Sequence, residues 1–118
     1  MKQEYKEVLK SYLGKSVKVV IDRPLGSHHP KHPNMIYPVN YGYITDLAAP
    51  DGMGQDVYLL GVNEPVESFE CVVIAIIERL DDVEDKLVAV PKGVSYSNEE
   101  IEQILHFQEQ YFKHRIIR

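Results

Sequence analysis

The sequence predicts a mainly β chain of the α+β class, a small closed β-barrel of five strands with an N-terminal and a C-terminal helix. Three observations lead there: five short apolar or alternating runs separated by turn residues, an amphipathic helical pattern before them, and a capped one after them. Tyr5, Val8, Leu9, Tyr12 and Leu13 recur at helical spacing, and Gly14 closes that first helix. Residues 16–21 (SVKVVI) are rich in β-branched side chains and form the first strand. Pro24, Gly26, Pro30 and Pro33 then make residues 23–35 an irregular loop. Residues 41–45, 56–62, 71–79 and 86–90 supply the other four strands, separated by turn-like segments such as 49–52 (APDG). Ser97 and Glu100 carry a capping-box signature, and Ile101, Ile104, Leu105, Tyr111 and Phe112 give the last helix its apolar face.

With 118 residues, 44% hydrophobic and 26% charged, the chain is expected to be a single domain over 1–118 that builds a core without disulfides or structural metals. Cys71 is the sole cysteine, which excludes an internal disulfide and makes the reducing cytoplasm the expected compartment. Residues 1–10 are charged throughout and lack a signal-peptide core, and no apolar run approaches the roughly 18 residues that cross a bilayer. Membrane and export are therefore not expected. The net charge of −5 also opposes nucleic-acid binding, which depends on many Lys and Arg side chains against phosphates.

The charge is unevenly spread. Residues 23–32 (RPLGSHHPKH) hold Arg23, Lys31 and three of the five histidines with no acid, and so favour an anion. Residues 46–56 carry Asp46, Asp51 and Asp56 with no base, and residues 78–86 pack five acids against Arg79 and Lys86. Carboxylates suit hard divalent ions such as Mg2+, so two acidic turns converging at one pole of a barrel beside the basic loop would suit phosphoryl chemistry. Ordinary solvated turns explain the acids equally well. Tyr37, Tyr41 and Tyr43 fall within seven residues and would share one face of a strand. They serve either as hydroxyl donors to a phosphate or as an aromatic cross-strand cluster of the core.

Residues 37–44 (YPVNYGYI), followed by the D-G-x-x-x-D turn of Asp51 to Asp56 and the D-V-x-x-L strand, resemble the soluble inorganic pyrophosphatases of the Mg2+-dependent barrel type. Residues 83–91 (VEDKLVAVP) resemble the D-x-K-L-x-A-V-P segment of that family, and residues 19–24 its early V-x-x-E-I-P strand. The resemblance spans about 18–91, with a weaker echo in 106–113. It implies a five-stranded barrel of the oligonucleotide-binding type and metal-assisted hydrolysis of pyrophosphate, or of a related phosphoanhydride, to phosphate. It also implies Asp51, Asp56 and Glu84 as ligands of Mg2+, with Mn2+ as the substitute, and Lys86, Tyr41 and Tyr111 as phosphate contacts. Arg23, Lys31 and Tyr37 join them as expected substrate-binding residues, Asp22 holds the early acidic position, and Asp56, Lys86 and Tyr41 are the expected catalytic set. Homo-oligomers are common among the related hydrolases, so a homo-oligomer is expected here.

Departures from the pattern are specific. Where the family turn reads D-G-D-P-x-D, this chain has Met53 and Gly54, and a thioether cannot take a proton. Deprotonation of the attacking water then falls to metal polarisation, to Asp56, or to a loop histidine. At the position of an acidic pair stand Arg79 and Leu80, with Glu78, Asp81 and Asp82 nearby. The first loop is shortened to residues 26–33, and Tyr111-Phe112-Lys113 replaces Tyr-Lys. For His28, His29 and His32, phosphate contact by Lys31 and one histidine is expected in preference to a transition-metal site, since Pro30 breaks any helical register and no cysteine accompanies them. His106 and His114 are placed on the last helix as surface or packing residues, and Cys71 as a small buried apolar residue. The alternative function is a weakened relative that binds a phosphate-containing ligand or a protein partner without turnover.

Overall fold

The computed structural model describes residues 2–118; Met1, which opens the expected domain, lies outside the described residues. Helix α1 (Lys2–Ser11) precedes strands β1 (Ser16–Arg23), β2 (Asn40–Ala48), β3 (Gly54–Leu59), β4 (Ser68–Arg79) and β5 (Lys86–Val90). Helix α2 (Asn98–Glu109) and strand β6 (His114–Ile117) complete the chain. The order β1-β2-β3-β5-β4 is closed by pairing of β1 with β4, and all pairings are antiparallel except that of β3 with β5. Closure removes the exposed edges that a sheet this small would otherwise present.

The middle strands bury both faces, which explains their nearly unbroken apolar runs. Val57, Leu59, Leu87 and Ala89 point into the barrel with Val19 and Val73, while Tyr58, Leu60, Val88 and Val90 face outward beneath Ile101 and Leu105 of α2. Leu9 of α1 plugs the interior, assisted by Tyr5 and Tyr12. Cys71 sits in that interior with its thiol pushed up to about 12 by burial. At Gly42 the barrel wall closes tightly: a Cβ there would run into the Val20 carbonyl, so only glycine lets β1 and β2 approach. The expected capping box is present, with Ser97 Oγ accepting from Glu100 N at 3.1 Å and Glu100 Oε1 accepting from Ser97 N at 2.8 Å.

The C-terminus departs from expectation. α2 stops at Glu109, so Tyr111 and Phe112 lie in a turn, and His114 begins a strand instead of sharing the helix with His106. The reason is an edge: β1 covers β4 only over 68–72, and β6 pairs with 76–79, where β4 would otherwise expose its backbone on that side. Tyr37 likewise precedes β2 and does not share a strand face with Tyr43.

Candidate active site

A cleft of about 1280 Å3 opens where the ends of β1 and β4 and the starts of β2 and β5 meet the C-terminal turn of α2. Its floor is charged. Lys86, the first residue of β5, is buried and donates from Nζ to Asp56 Oδ2 at 2.5 Å across the parallel β3–β5 pairing. A register irregularity between Ile21 and Arg23 re-aims the end of β1, and Arg23 Nη1 donates to the Tyr37 hydroxyl at 2.6 Å. The Tyr37 hydroxyl in turn donates to Gln108 Oε1 at 3.1 Å. The Arg23 guanidinium also lies 5.7 Å from the ring centres of both Tyr37 and Tyr41. Buried Asn40 pins the loop behind it, accepting from Leu25 N at 3.0 Å and donating to Glu64 O at 2.9 Å.

Burial, and after it the negative charge of Asp56, holds the Tyr41 phenol well above its ordinary pKa, so its hydroxyl stays a donor at the floor. The aromatic-cluster reading holds for two of the three tyrosines. Tyr37 and Tyr41 are buried in an aromatic cluster with Tyr58 and Phe107, with ring centres 5.0 to 5.6 Å apart along Tyr58, Tyr41, Tyr37 and Phe107. Tyr43 is not in it; its ring packs where a side chain at position 54 would stand.

Arg79 is a residue that sequence reasoning did not single out as functional, as are its network partners Glu109, Tyr58 and Gln108. Its guanidinium makes a two-pronged pair with Glu109, Nε to Oε1 at 3.2 Å and Nη2 to Oε2 at 2.8 Å, and reaches Asp82 at 3.2 Å. It stacks 3.7 Å above the Phe112 ring centre. Although burial opposes its charge, the bonds to Glu109 outweigh that and hold Arg79 protonated. Tyr58 donates to the same carboxylate at 2.6 Å and accepts from Gln108 at 2.6 Å. Thirty residues separate Arg79 from Glu109, so no local pattern announces the pair; the only signal is the cation standing at the position of an acidic pair.

Asp51 and Glu84 come together at the edge of this floor. Met53 N donates to Asp51 Oδ1 at 2.9 Å, which holds the Asp51 carboxyl below its usual range, and Glu84 beside it adds to that. Burial and then the charge of Asp51 push the Glu84 carboxyl up. The charges of Lys86 and Asp56 act on Glu84 as well; Asp56 and Lys86 line the cleft, whereas Asp51 and Glu84 do not. Among the described residues, no three His, Cys, Asp or Glu side chains stand close enough to enclose a metal ion as placed. Carboxylate oxygens are nevertheless the donors a hard divalent cation selects.

Lys31, His29, His32 and Tyr111 line the outer part of the cleft, and Asp22 lies beside Arg23 at the end of β1. Lys31 N donates to His29 Nδ1 at 3.0 Å, fixing the neutral tautomer, and burial followed by Arg23 lowers the pKa of that ring further. His28 instead donates from Nδ1 to Pro33 O at 2.6 Å. Met53 is 69% exposed in the turn after Asp51.

Residues 4–116 match the family model described as inorganic pyrophosphatase. The chain belongs to the inorganic pyrophosphatase family. Members of the family are generally metal-dependent. Similar solved structures include an inorganic pyrophosphatase from Neisseria gonorrhoeae, 27% identical with a TM-score of 0.62, the match covering 83% of this chain and 74% of that one. Another is the enzyme from Coxiella burnetii, with 22% identity, a TM-score of 0.63 and coverages of 84% and 78%. The inorganic pyrophosphatase from Ehrlichia chaffeensis has 20% identity and a TM-score of 0.65, with coverages of 87% and 85%, and like the Coxiella enzyme it supports the fold alone. Among curated proteins, none matches the chain. No helix is long and apolar enough to cross a membrane among the described residues.

Proposed function

We propose that this member of the pyrophosphatase family hydrolyses inorganic pyrophosphate to two phosphates, and that the Lys86–Asp56 pair at the cleft floor is the centre of the reaction. The observation that carries this reading is the 2.5 Å contact of a buried lysine with a carboxylate inside a cleft that also holds Arg23, Lys31 and Arg79. The buried Lys86 and the Arg23 guanidinium receive the phosphoryl oxygens, and their positions are set before substrate arrives, so little reorganisation opposes the reaction. Tyr41 donates its hydroxyl to the same anion, which is favoured by its resistance to ionisation. Lys31 and Tyr111 meet the substrate from the rim, and Tyr37 holds Arg23 in place.

Asp51, Glu84 and Asp56 are the carboxylates that would hold Mg2+, or Mn2+ in its place. When bound, the ion supplies positive charge to the phosphoryl oxygens and makes water easier to deprotonate. With Met53 in place of a carboxylate in the adjacent turn, Asp56 takes the water proton, and its pairing with Lys86 supports the negative charge it carries. The substrate is a small anion and the compartment is the cytoplasm, with the reducing environment that a lone buried thiol tolerates. The test is phosphate release from pyrophosphate by the purified chain with Mg2+, with Mn2+ and with EDTA. Release that EDTA abolishes is the expected result; tight pyrophosphate binding without release with either ion would show a binding protein instead.

A further inference from the structure

Arg23 and Arg79 both line the cleft, yet no backbone ladder relates them, because β1 and β4 pair only over 16–20 and 68–72. What joins them is a single file of side chains. Arg23 Nη1 donates to the Tyr37 hydroxyl at 2.6 Å, and Tyr37 donates to Gln108 Oε1 at 3.1 Å. Gln108 Nε2 donates to the Tyr58 hydroxyl at 2.6 Å, and Tyr58 donates to Glu109 Oε2 at 2.6 Å. Arg79 closes the far end with two donations to the same carboxylate, at 3.2 and 2.8 Å.

From Arg23 to Glu109, every donor in this file runs the same way. A guanidinium only donates and a carboxylate only accepts, so the group between the two tyrosine hydroxyls must accept from the first and donate to the second. A carboxamide does both, whereas a carboxylate lacks the donor and a thioether offers neither with any strength. Tyr37 and Tyr58 are fully buried and Glu109 nearly so, and a break in the file therefore leaves a polar group with no water to replace its partner. Burial also holds both phenols above their ordinary pKa, so each keeps the proton it gives. Arg79 gives one N–H from each of Nε and Nη2 to Glu109 and one from Nη1 to Asp82. Nη1 and Nη2 each keep a second N–H for an anion in the cleft that Arg79 lines.

We infer that Gln108 is a positioning residue that fixes Arg23 and Arg79 at one separation in the cleft, and that this separation makes the site prefer a diphosphate to a single phosphate. The inference rests on the reading of the cleft as a pyrophosphate site and names the side chain that sets its selectivity between substrate and product. A ligand with two phosphoryl groups engages both guanidinia at once and benefits from their being held; a ligand with one phosphoryl group engages either alone and does not.

The experiment measures dissociation constants for pyrophosphate and for inorganic phosphate by calorimetry on the full chain, with EDTA and no added metal. It compares the parent with Gln108→Met, Tyr37→Phe and the double variant; methionine keeps the length and the helix propensity of glutamine. Each single substitution is expected to weaken pyrophosphate binding about fivefold, near the net contribution of one hydrogen bond, and phosphate binding less than about twofold. Because both substitutions cut the same file, the double variant should bind pyrophosphate within about twofold of the weaker single variant. A parent that binds pyrophosphate no tighter than phosphate, single variants that weaken both ligands alike, or losses that multiply in the double variant overturn the inference. If Gln108→Met does not fold, Tyr37→Phe carries the selectivity measurement by itself. Phosphate release by the parent with Mg2+ reports separately on the hydrolase reading, because binding without metal is read whether or not turnover occurs.

Discussion

Arg79 and Lys31 both present positive charge to one cleft, but they are held in opposite ways. Arg79 is buried at the end of β4, donating two bonds to Glu109 and stacked on Phe112. Lys31 stands exposed in an irregular loop whose order comes from prolines and from backbone bonds such as His29 N to Met35 O at 2.9 Å. The inner charge is therefore part of the fold, and the outer one is an addition to it. Changing the first should disturb stability and function together, and changing the second only affinity.

The largest effect expected is that of Glu109→Gln, which leaves the Arg79 guanidinium buried without its counter-charge; denaturant unfolding should show a loss of about 3–5 kcal/mol. A stable Glu109→Gln protein would break the contrast. Next, Lys86→Met should lower kcat/KM for pyrophosphate roughly hundredfold, about 2.7 kcal/mol of transition-state stabilisation, in steady-state assays. On the outer side, Lys31→Ala should raise KM roughly two- to fivefold and leave unfolding within about 0.5 kcal/mol of the parent.

The smallest effect concerns Glu78, just behind the floor, which accepts from Arg115 at 2.5 Å and pairs with Lys6 at 3.2 Å. Burial alone would raise its pKa, but the bonds from Arg115 and Lys6 hold it below the ordinary 4.5. A depressed folded-state carboxyl contributes stability that is present above 4.5 and is lost as the pH falls through the lower folded-state value. Thermal unfolding across the acid range should thus be less steep in Glu78→Gln than in the parent.

The same contrast governs what could be read from the residues. The barrel, the first helix and the capping box were legible because each is written in local periodicity or turn chemistry, such as the alternation of Val17, Val19 and Ile21. Strand β6 was not: its four residues adjoin an apolar helical face, and only the bare edge of β4 tells it to extend. Arg23, Tyr41, Asp56 and Lys86 were all singled out and line one cleft, and Tyr37 is buried behind it against Arg23. Glu109, Tyr58 and Gln108 were missed because they act through tertiary contacts across about half the chain, Tyr58 to Glu109 being 51 residues apart. Tyr37 was misplaced because it lies before the strand and so escapes its alternation.

The central claim is that Asp56 and Lys86 form the reacting centre of a metal-dependent pyrophosphatase. Its most direct test is the rate of phosphate release from pyrophosphate with Mg2+ in the parent and in Asp56→Asn, side by side. The account predicts at least a tenfold drop, about 1.4 kcal/mol, in Asp56→Asn. Equal rates in the two proteins, or no release from the parent, would contradict it.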